Sequence, residues 1–172
     1  DGLRWTEGVR VVGRRDDYNS IFYNPFRSVW VYSIKGTGPR GRCRYYYEHP
    51  DFLSGTDWTK AVYWINADRL DAPDPEVGNP AQLYSLNAVA YESLILGLFY
   101  IHRGPENDVC QKGGFPKLTD LALGFSRDGF TWARPSREPF LAGTRTPGDW
   151  DRAYLHGTAG ICFVMGDTLY FP

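Results

Sequence analysis

The stretch 126–132, Ser-Arg-Asp-Gly-Phe-Thr-Trp, constrains the fold of this chain more than any other. It follows a run in which Leu121, Leu123 and Phe125 alternate with small residues. An Asp-Gly pair supplies the positive φ of a tight turn, and an Asp side chain can accept backbone N–H bonds across it. The stretch therefore predicts a β-hairpin, with the Trp side chain packed beneath the turn.

The same pattern of Asp, Gly, an apolar residue, a polar residue and Trp occupies positions 1–5. A looser version has Asp51 and Phe52 after the strand-like run 42–48 and before Trp58. Turns of one kind about 50–75 residues apart indicate a repeated antiparallel unit, and a four-stranded propeller blade takes about 40–50 residues. The sequence therefore predicts an all-β fold of the β-propeller class.

Composition excludes several classes of function. The 172 residues are 42% hydrophobic and 16% aromatic, which is enough for one domain with a sizeable core. Nineteen basic and twenty acidic residues nearly cancel, so we expect no binding of nucleic acid or of an anionic membrane. No apolar run approaches the roughly 20 residues of a membrane span, and no signal peptide is recognisable, so a soluble protein of unknown location is expected.

The three cysteines, Cys43, Cys110 and Cys162, are odd in number and widely spaced. Because no Cys-x-x-Cys pair or Cys/His cluster occurs, the pattern favours free or buried thiols over a zinc site.

Three acids in the stretch 66–81, Asp68, Asp71 and Asp74, raise the question of calcium. Their spacing lacks the alternating ligands and glycine turn of a compact calcium loop. We interpret them as solvated loop acids, and neither a metal nor a cofactor is expected.

The strand pattern divides the chain into the end of one blade at 1–15, two full blades at 16–66 and 82–135, and the start of another at 156–172. The Pro-rich stretch 66–81 predicts a surface connection. Such an arrangement has two open sheet edges, which isolated β-structures tolerate poorly. Either the chain is a piece of a larger protein, or copies of it associate; we expect self-association.

Single strands are predicted at 9–12, 58–65, 130–133 and 158–165, and a loop at 104–116. The apolar stretch 83–101 alone is compatible with a buried helix, because short apolar runs do not fix the period. The repeat favours strands there.

Four runs carry a resemblance to known proteins: 17–24, 87–99, 124–132 and 166–171. Together they resemble the five-bladed propeller proteins of glycoside hydrolase families 32 and 43, over most of the chain. The hairpins with a serine, Asp-Gly and Trp are also similar to the Asp boxes of sialidases. The resemblance implies a five-bladed ring of about twice the present blade content. It also implies a carbohydrate ligand in the central funnel, and its enzymes usually place three carboxylates on successive innermost strands.

The resemblance implies that Asp17, just before the first inner strand, is the catalytic base or nucleophile; a turn Asp that bonds the backbone near Asn19 is an equal alternative. Glu92 is the candidate acid, since a carboxyl buried beside Tyr91 and Leu94 would hold its proton tightly. Its level on the strand differs from that of Asp17 by more than roughly 10 Å. Paired glycosidase carboxylates lie about 5–9.5 Å apart, so a structural role for Glu92 is favoured.

Asn19, Asn87 and His156 are the candidate substrate-binding residues. Asn87 aligns with the level of Asp17, where an enzyme might carry Asp, and an amide cannot transfer protons in its place. His156 could bond a sugar hydroxyl or titrate near neutrality, although a lone His before a strand is more often an ordinary hydrogen-bonding residue.

Two functions follow from this reading. One is a glycoside hydrolase that cleaves glycosidic bonds by carboxylate acid/base chemistry, and the other is a non-catalytic propeller module for glycan binding or assembly. A carboxylate pair about 5–9.5 Å apart would favour the first, whereas amides and aromatic rings alone would favour the second.

Overall fold

The computed structural model describes residues 3–5, 7–14, 16–158 and 160–172. Within these ranges it contains antiparallel β-sheets, one short α-helix and one turn of 3-10 helix. The predicted all-β class is confirmed. The predicted turn at Asp1 and Gly2 lies outside the described residues. No helix in the described part is long and apolar enough to cross a membrane.

The first sheet is an antiparallel meander of four strands in chain order. They are β1 (Ser20–Asn24), β2 (Val29–Gly38), β3 (Gly41–His49) and β4 (Val62–Asn66). Aromatic and β-branched residues dominate these strands, as their preference for a pleated, half-buried surface requires. The Asn24-Pro25 turn joins β1 to β2 as predicted.

The second sheet is a meander of three strands, followed by a separate two-stranded hairpin. The three strands are β5 (Gln82–Tyr91), β6 (Leu94–Gly104) and β7 (Leu118–Ser126), and the hairpin pairs β8 (Phe163–Met165) with β9 (Thr168–Tyr170). The stretch 83–101 therefore forms two paired strands, and the helix alternative is wrong. β5 packs against the first sheet, where the Ser20 hydroxyl donates to the Leu86 carbonyl oxygen at 2.6 Å.

The stretch 126–132 folds into the predicted turn. Gly129 has φ +78, and one Asp128 carboxylate oxygen accepts the backbone N–H groups of Phe130 at 2.8 Å and Thr131 at 2.7 Å. The Trp132 ring lies on the backbone of Gly97, where a Cβ atom would come 2.4 Å from the ring. Only glycine permits this close approach, so the Trp132 ring packs on the neighbouring strand β6, beside Phe99.

The predicted strand at 9–12 is wrong. Among the described residues of that segment only Val12 forms a bridge, with Asp57, while Val9 and Val12 stay exposed. The backbone of this segment forms one bridge among its described residues, and a strand needs a partner along its length.

The fourth strand predicted at 130–133 is also wrong, because it shrinks to one bridge between Ala133 and Phe125. The N–H groups of Phe130 and Thr131 are bound to the Asp128 side chain and cannot extend the ladder. Strand pairing therefore resumes for a single residue pair beyond the turn.

Three further boundaries differ from prediction. The range 58–65 begins as a 3-10 turn at Trp58–Lys60 before β4. Within 158–165, the described residues, which leave out 159, form strand only in β8. The predicted loop 104–116 contains α1 (Asn107–Gly113), which ends where Gly114 adopts φ +67. An Asp108–Lys112 ion pair at 3.6 Å spans one turn of this helix, a local contact that supports helix in so short a segment.

Asp71 and Asp74 in the stretch 66–81 are not solvated as predicted, whereas Asp68 stays partly exposed beside Arg137. Asp71 is buried, and both of its oxygens accept hydrogen bonds from Arg134, at 2.8 and 2.6 Å. Asp74 is buried as well and pairs with Arg145 at 3.2 Å. These arginines fasten the long connection to the second sheet, and the basic partners lie more than 60 residues away in the sequence.

His102 on β6 is buried to 1% exposure, and neither ring nitrogen has a hydrogen-bond partner among the described residues. Burial lowers its pKa from 6.5 to about 4. Between these two values the unfolded chain binds a proton that the folded chain does not bind. The free energy of unfolding therefore falls as the pH falls from 6.5 to 4, and His102 contributes no further loss below that.

We predict that His102→Phe removes this dependence. The shift corresponds to about 3 kcal/mol, so the stability difference between wild type and variant should change by that amount from pH 7 to pH 4. Urea denaturation at both pH values measures the change. Parallel pH profiles for wild type and His102→Phe would contradict the prediction.

Candidate functional site

One imidazole ring lies among four phenol rings where the start of β1 meets the start of β5. The ring centroid of His156 is 4.3 Å from that of Tyr154, 4.8 Å from Tyr18, 5.4 Å from Tyr84 and 5.5 Å from Tyr100. We call these five residues the tyrosine–histidine cluster. The rings come from four separate segments of the chain, so the cluster exists only in the folded protein.

Arg44 on β3 fixes the backbone beneath the cluster. Its fully buried guanidinium donates to the carbonyl oxygens of Tyr84 at 3.0 Å and Tyr18 at 3.1 Å, and to the Ser33 hydroxyl at 2.9 Å. Burial lowers the pKa of Arg44 to about 9, so the group stays protonated at neutral pH. One cation thereby holds together the segment before β1, strand β2 and strand β5.

Asp17 lies beside the cluster with its carboxylate exposed. One oxygen accepts from the Lys35 ammonium and the other from the Tyr84 hydroxyl at 3.1 Å. The Lys35 hydrogen bond holds the pKa of Asp17 below its usual value, against the opposing effect of burial. The carboxylate is therefore ionised at neutral pH, and it can accept hydrogen bonds or act as a base.

Asn19 shapes the turn that carries Asp17. Its amide nitrogen donates to the Asp16 carbonyl oxygen at 2.9 Å, and its amide oxygen accepts from the Lys35 backbone N–H at 2.8 Å. Both ends of the amide are occupied by backbone. Asn19 is thus close to the cluster, but its hydrogen bonds serve the fold.

Asn87 is buried on β5 under the segment 156–158. Its nitrogen donates to the Tyr100 hydroxyl at 2.9 Å and to the Thr158 carbonyl oxygen at 3.1 Å, while its oxygen accepts from the Ser85 hydroxyl. Tyr100 in turn donates to the Gly157 carbonyl oxygen at 2.8 Å. The amide therefore places His156 by fastening the segment that carries it.

His156 retains contact with solvent, while the surrounding rings cover enough of the imidazole to lower its pKa by desolvation. The ring is neutral at pH 7 and offers one donor and one acceptor nitrogen. Burial raises the pKa of the Tyr84 and Tyr100 hydroxyls, which remain protonated. At neutral pH His156, Tyr84 and Tyr100 are therefore uncharged beside the Asp17–Lys35 pair.

Glu92 is not in the site, and its predicted burial is wrong. It is exposed, with φ +51, in the two-residue turn that joins Tyr91 to Leu94. Tyr84, which bonds Asp17, lies eight residues earlier, or roughly 26 Å at about 3.3 Å per residue. A tight turn between two paired strands projects its first residue toward solvent. The apolar residues next to Glu92 in the sequence suggested burial instead.

The structure thus brings together Asp17, Asn19, Asn87 and His156, four of the five residues singled out from the sequence. The sequence reasoning missed Arg44, Lys35 and the tyrosines of the cluster. Arg44 had one recognisable signal, a charge on the same strand face as the buried Tyr46. The tyrosines gave none, because the chain has twelve of them.

No group of three or more His, Cys, Asp or Glu side chains suitable for a metal ion occurs among the residues that the structure describes. Comparison of the chain with protein-family models, with curated proteins and with solved structures finds no match.

We predict that Asn87→Asp destabilises the fold by about 1–3 kcal/mol at pH 7, because an ionised carboxylate would face the Thr158 carbonyl oxygen without a proton to donate. Chemical denaturation measures the loss. The loss should shrink in acid, where the new carboxyl is protonated and can donate. Asn107→Asp, at an exposed position, is the control. Equal stability of the two variants at pH 7 would contradict the role assigned to the amide.

Proposed function

We propose that this chain is a carbohydrate-active protein of the five-bladed propeller type, and that it binds a sugar at the tyrosine–histidine cluster. The observation that carries the proposal is the convergence of an exposed carboxylate, Asp17, which accepts from the Tyr84 hydroxyl, with the exposed rings of Tyr154 and His156. Carboxylates accept strong hydrogen bonds from hydroxyl groups, and aromatic rings offer flat apolar faces to the C–H faces of a sugar.

The propeller part of the proposal is supported by the order of the strands. Two antiparallel meanders follow one another, and their first strands, β1 and β5, lie together as inner strands of neighbouring blades would. The hairpin β8–β9 would then begin a third blade. Asp17 and Asn19 lie just before β1, where a central funnel would open, while Asn87 lies at the middle of β5.

Binding without hydrolysis fits the geometry best. Within the described residues, Asp17 is the one carboxylate hydrogen-bonded to the tyrosine–histidine cluster. Glu92 is too distant to complete a pair, and Asn87 offers an amide that is already occupied. The catalytic alternative draws on the ionised, solvent-exposed state of Asp17, which suits a base or nucleophile; its acid would have to come from elsewhere.

We predict that Asp17→Asn weakens glycan binding by about 10-fold or more, because a charged acceptor contributes about 1.5–3 kcal/mol. A glycan array identifies the sugar, and calorimetry measures the affinity of each variant. Asp108→Asn is the matched control, since Asp108 is an exposed carboxylate that also pairs with a lysine. Glu92→Gln should bind as wild type does.

Aryl glycosides distinguish the two forms of the proposal. Binding without turnover supports the glycan-binding module. Turnover that Asp17→Asn abolishes and Glu92→Gln retains supports the hydrolase. Binding that Asp17→Asn leaves unchanged would contradict the assignment of the site.

We further propose that copies of the chain associate through the β8–β9 hairpin. Phe163, Val164 and Met165 on β8 are 50–58% exposed. Three successive apolar residues thus form a contiguous exposed apolar patch, which often marks an interaction surface. A second copy would cover this surface and pair the strand edges.

Light scattering after size-exclusion chromatography should therefore show a dimer or larger species. Val164→Lys should raise the dissociation constant at least about 10-fold, by placing a charge in an apolar contact. Thr168→Lys, an exposed position on the partner strand β9, is the control and should have a smaller effect. A monomeric mass at every concentration would contradict this proposal.

A further inference from the structure

A second candidate site lies away from the tyrosine–histidine cluster, beside helix α1. An open cavity of about 420 Å³ is bounded by the stretch 76–79, by the segment 105–118 and by residues 145–153. Ligand cavities in proteins are typically about 300–1,000 Å³, so the volume suits a small organic molecule.

The wall of this cavity is mainly apolar. Val77, Pro105, Val109, Phe115 and Leu118 line it, and two of them remain largely open to solvent in the protein itself. Val109 is 44% exposed and Phe115 is 62% exposed. The Phe115 ring is held over Gly113, where an added Cβ atom would come 2.6 Å from it. A ligand with an apolar body would remove this surface from water.

One of the two arginines on the wall is available to an anion. Two arginines and one glutamate line the cavity. The charge of Arg145 is offset by Asp74 at 3.2 Å and Asp120 at 3.8 Å. Arg152 has no carboxylate within 4 Å among the described residues, and it is exposed at the cavity. A guanidinium is always protonated at physiological pH and matches a carboxylate with two parallel hydrogen bonds.

We propose that this cavity binds a small aromatic or aliphatic carboxylate, with the apolar body against Phe115 and Val109 and the carboxylate on Arg152. Glu76 opposes the ligand charge and limits the affinity. This site shares no residue with the tyrosine–histidine cluster, so the proposal stands or falls independently of the sugar site.

Three probes of equal length separate the contributions of charge and apolar contact: 4-phenylbutyrate, 4-phenylbutylamine and 4-phenyl-1-butanol. We expect calorimetry or ligand-observed NMR to give 4-phenylbutyrate a dissociation constant of about 0.1–1 mM. The alcohol should bind at least about 5-fold more weakly and the amine more weakly still. An amine that binds as tightly as the carboxylate would overturn the proposal.

Four variants assign the contacts. Arg152→Gln should weaken 4-phenylbutyrate about 5- to 20-fold and leave the alcohol unchanged, whereas Glu76→Gln should tighten the carboxylate about 2- to 5-fold. Phe115→Ala should weaken all probes. Arg10→Gln, at an exposed arginine outside the cavity, is the control. An equal loss in Arg10→Gln and Arg152→Gln would mean that non-specific charge attracts the probe, and would also overturn the proposal.

Discussion

The buried guanidinium of Arg44 is the interaction on which the candidate site depends. Transfer of a charge into a protein interior costs several kcal/mol unless its hydrogen bonds are made there. Arg44 meets this condition with backbone carbonyls and a hydroxyl, from Tyr18, Ser33 and Tyr84, and the nearby Asp17 carboxylate favours its charged form. Because its partners belong to three segments, a single cation sets the spacing of two sheets and of two cluster tyrosines. The same positive charge lies close to the one ionised acid of the site.

The ion pairs of Asp71 and Asp74 hold in place a long connection that has no regular structure. The stretch 66–81 has few apolar side chains to bury, so it cannot be fixed by packing alone. Arg134 and Arg145 bind its two buried acids instead. Loss of Arg145 would leave the buried Asp74 without its cation, which costs far more than the pair itself contributes, whereas Asp71 would keep Arg137 at 3.4 Å. Arg145 also lines the cavity beside α1, so the same pairing shapes that wall.

The local parts of the fold were predictable because their causes are local. The turn at Asp128 and Gly129 follows from a side chain that bonds N–H groups two and three residues ahead, and the strands follow from apolar alternation. The failures have long-range causes. The sequence predicts a solvated Asp71 because its partner Arg134 is distant in the chain. It suggests a buried Glu92 because the strand register that places this residue in a turn is not visible in the sequence.

The site was only partly predictable for the same reason. Asp17, Asn87 and His156 were recognisable as polar residues near the starts of inner strands. Their roles depend on Tyr84, Tyr100 and Arg44, which nothing in their own sequence neighbourhoods connects to them. Asn87 illustrates the difference, since the sequence leaves open whether it replaces a carboxylate. The structure shows that both ends of its amide already have partners.

The fastening of residues 156–158 has a consequence for motion. The segment is joined to β5 and β6 by side-chain hydrogen bonds from Asn87 and Tyr100, and the described residues 156–158 take part in no strand ladder. Opening of the segment would break three side-chain hydrogen bonds, one of them from the Tyr18 hydroxyl to the Gly157 carbonyl oxygen at 3.3 Å, and no strand pairing of these residues. Local openings of this kind cost much less free energy than global unfolding and recur far more often. His156 therefore lies on a segment whose position in the site depends on side-chain hydrogen bonds rather than on strand pairing.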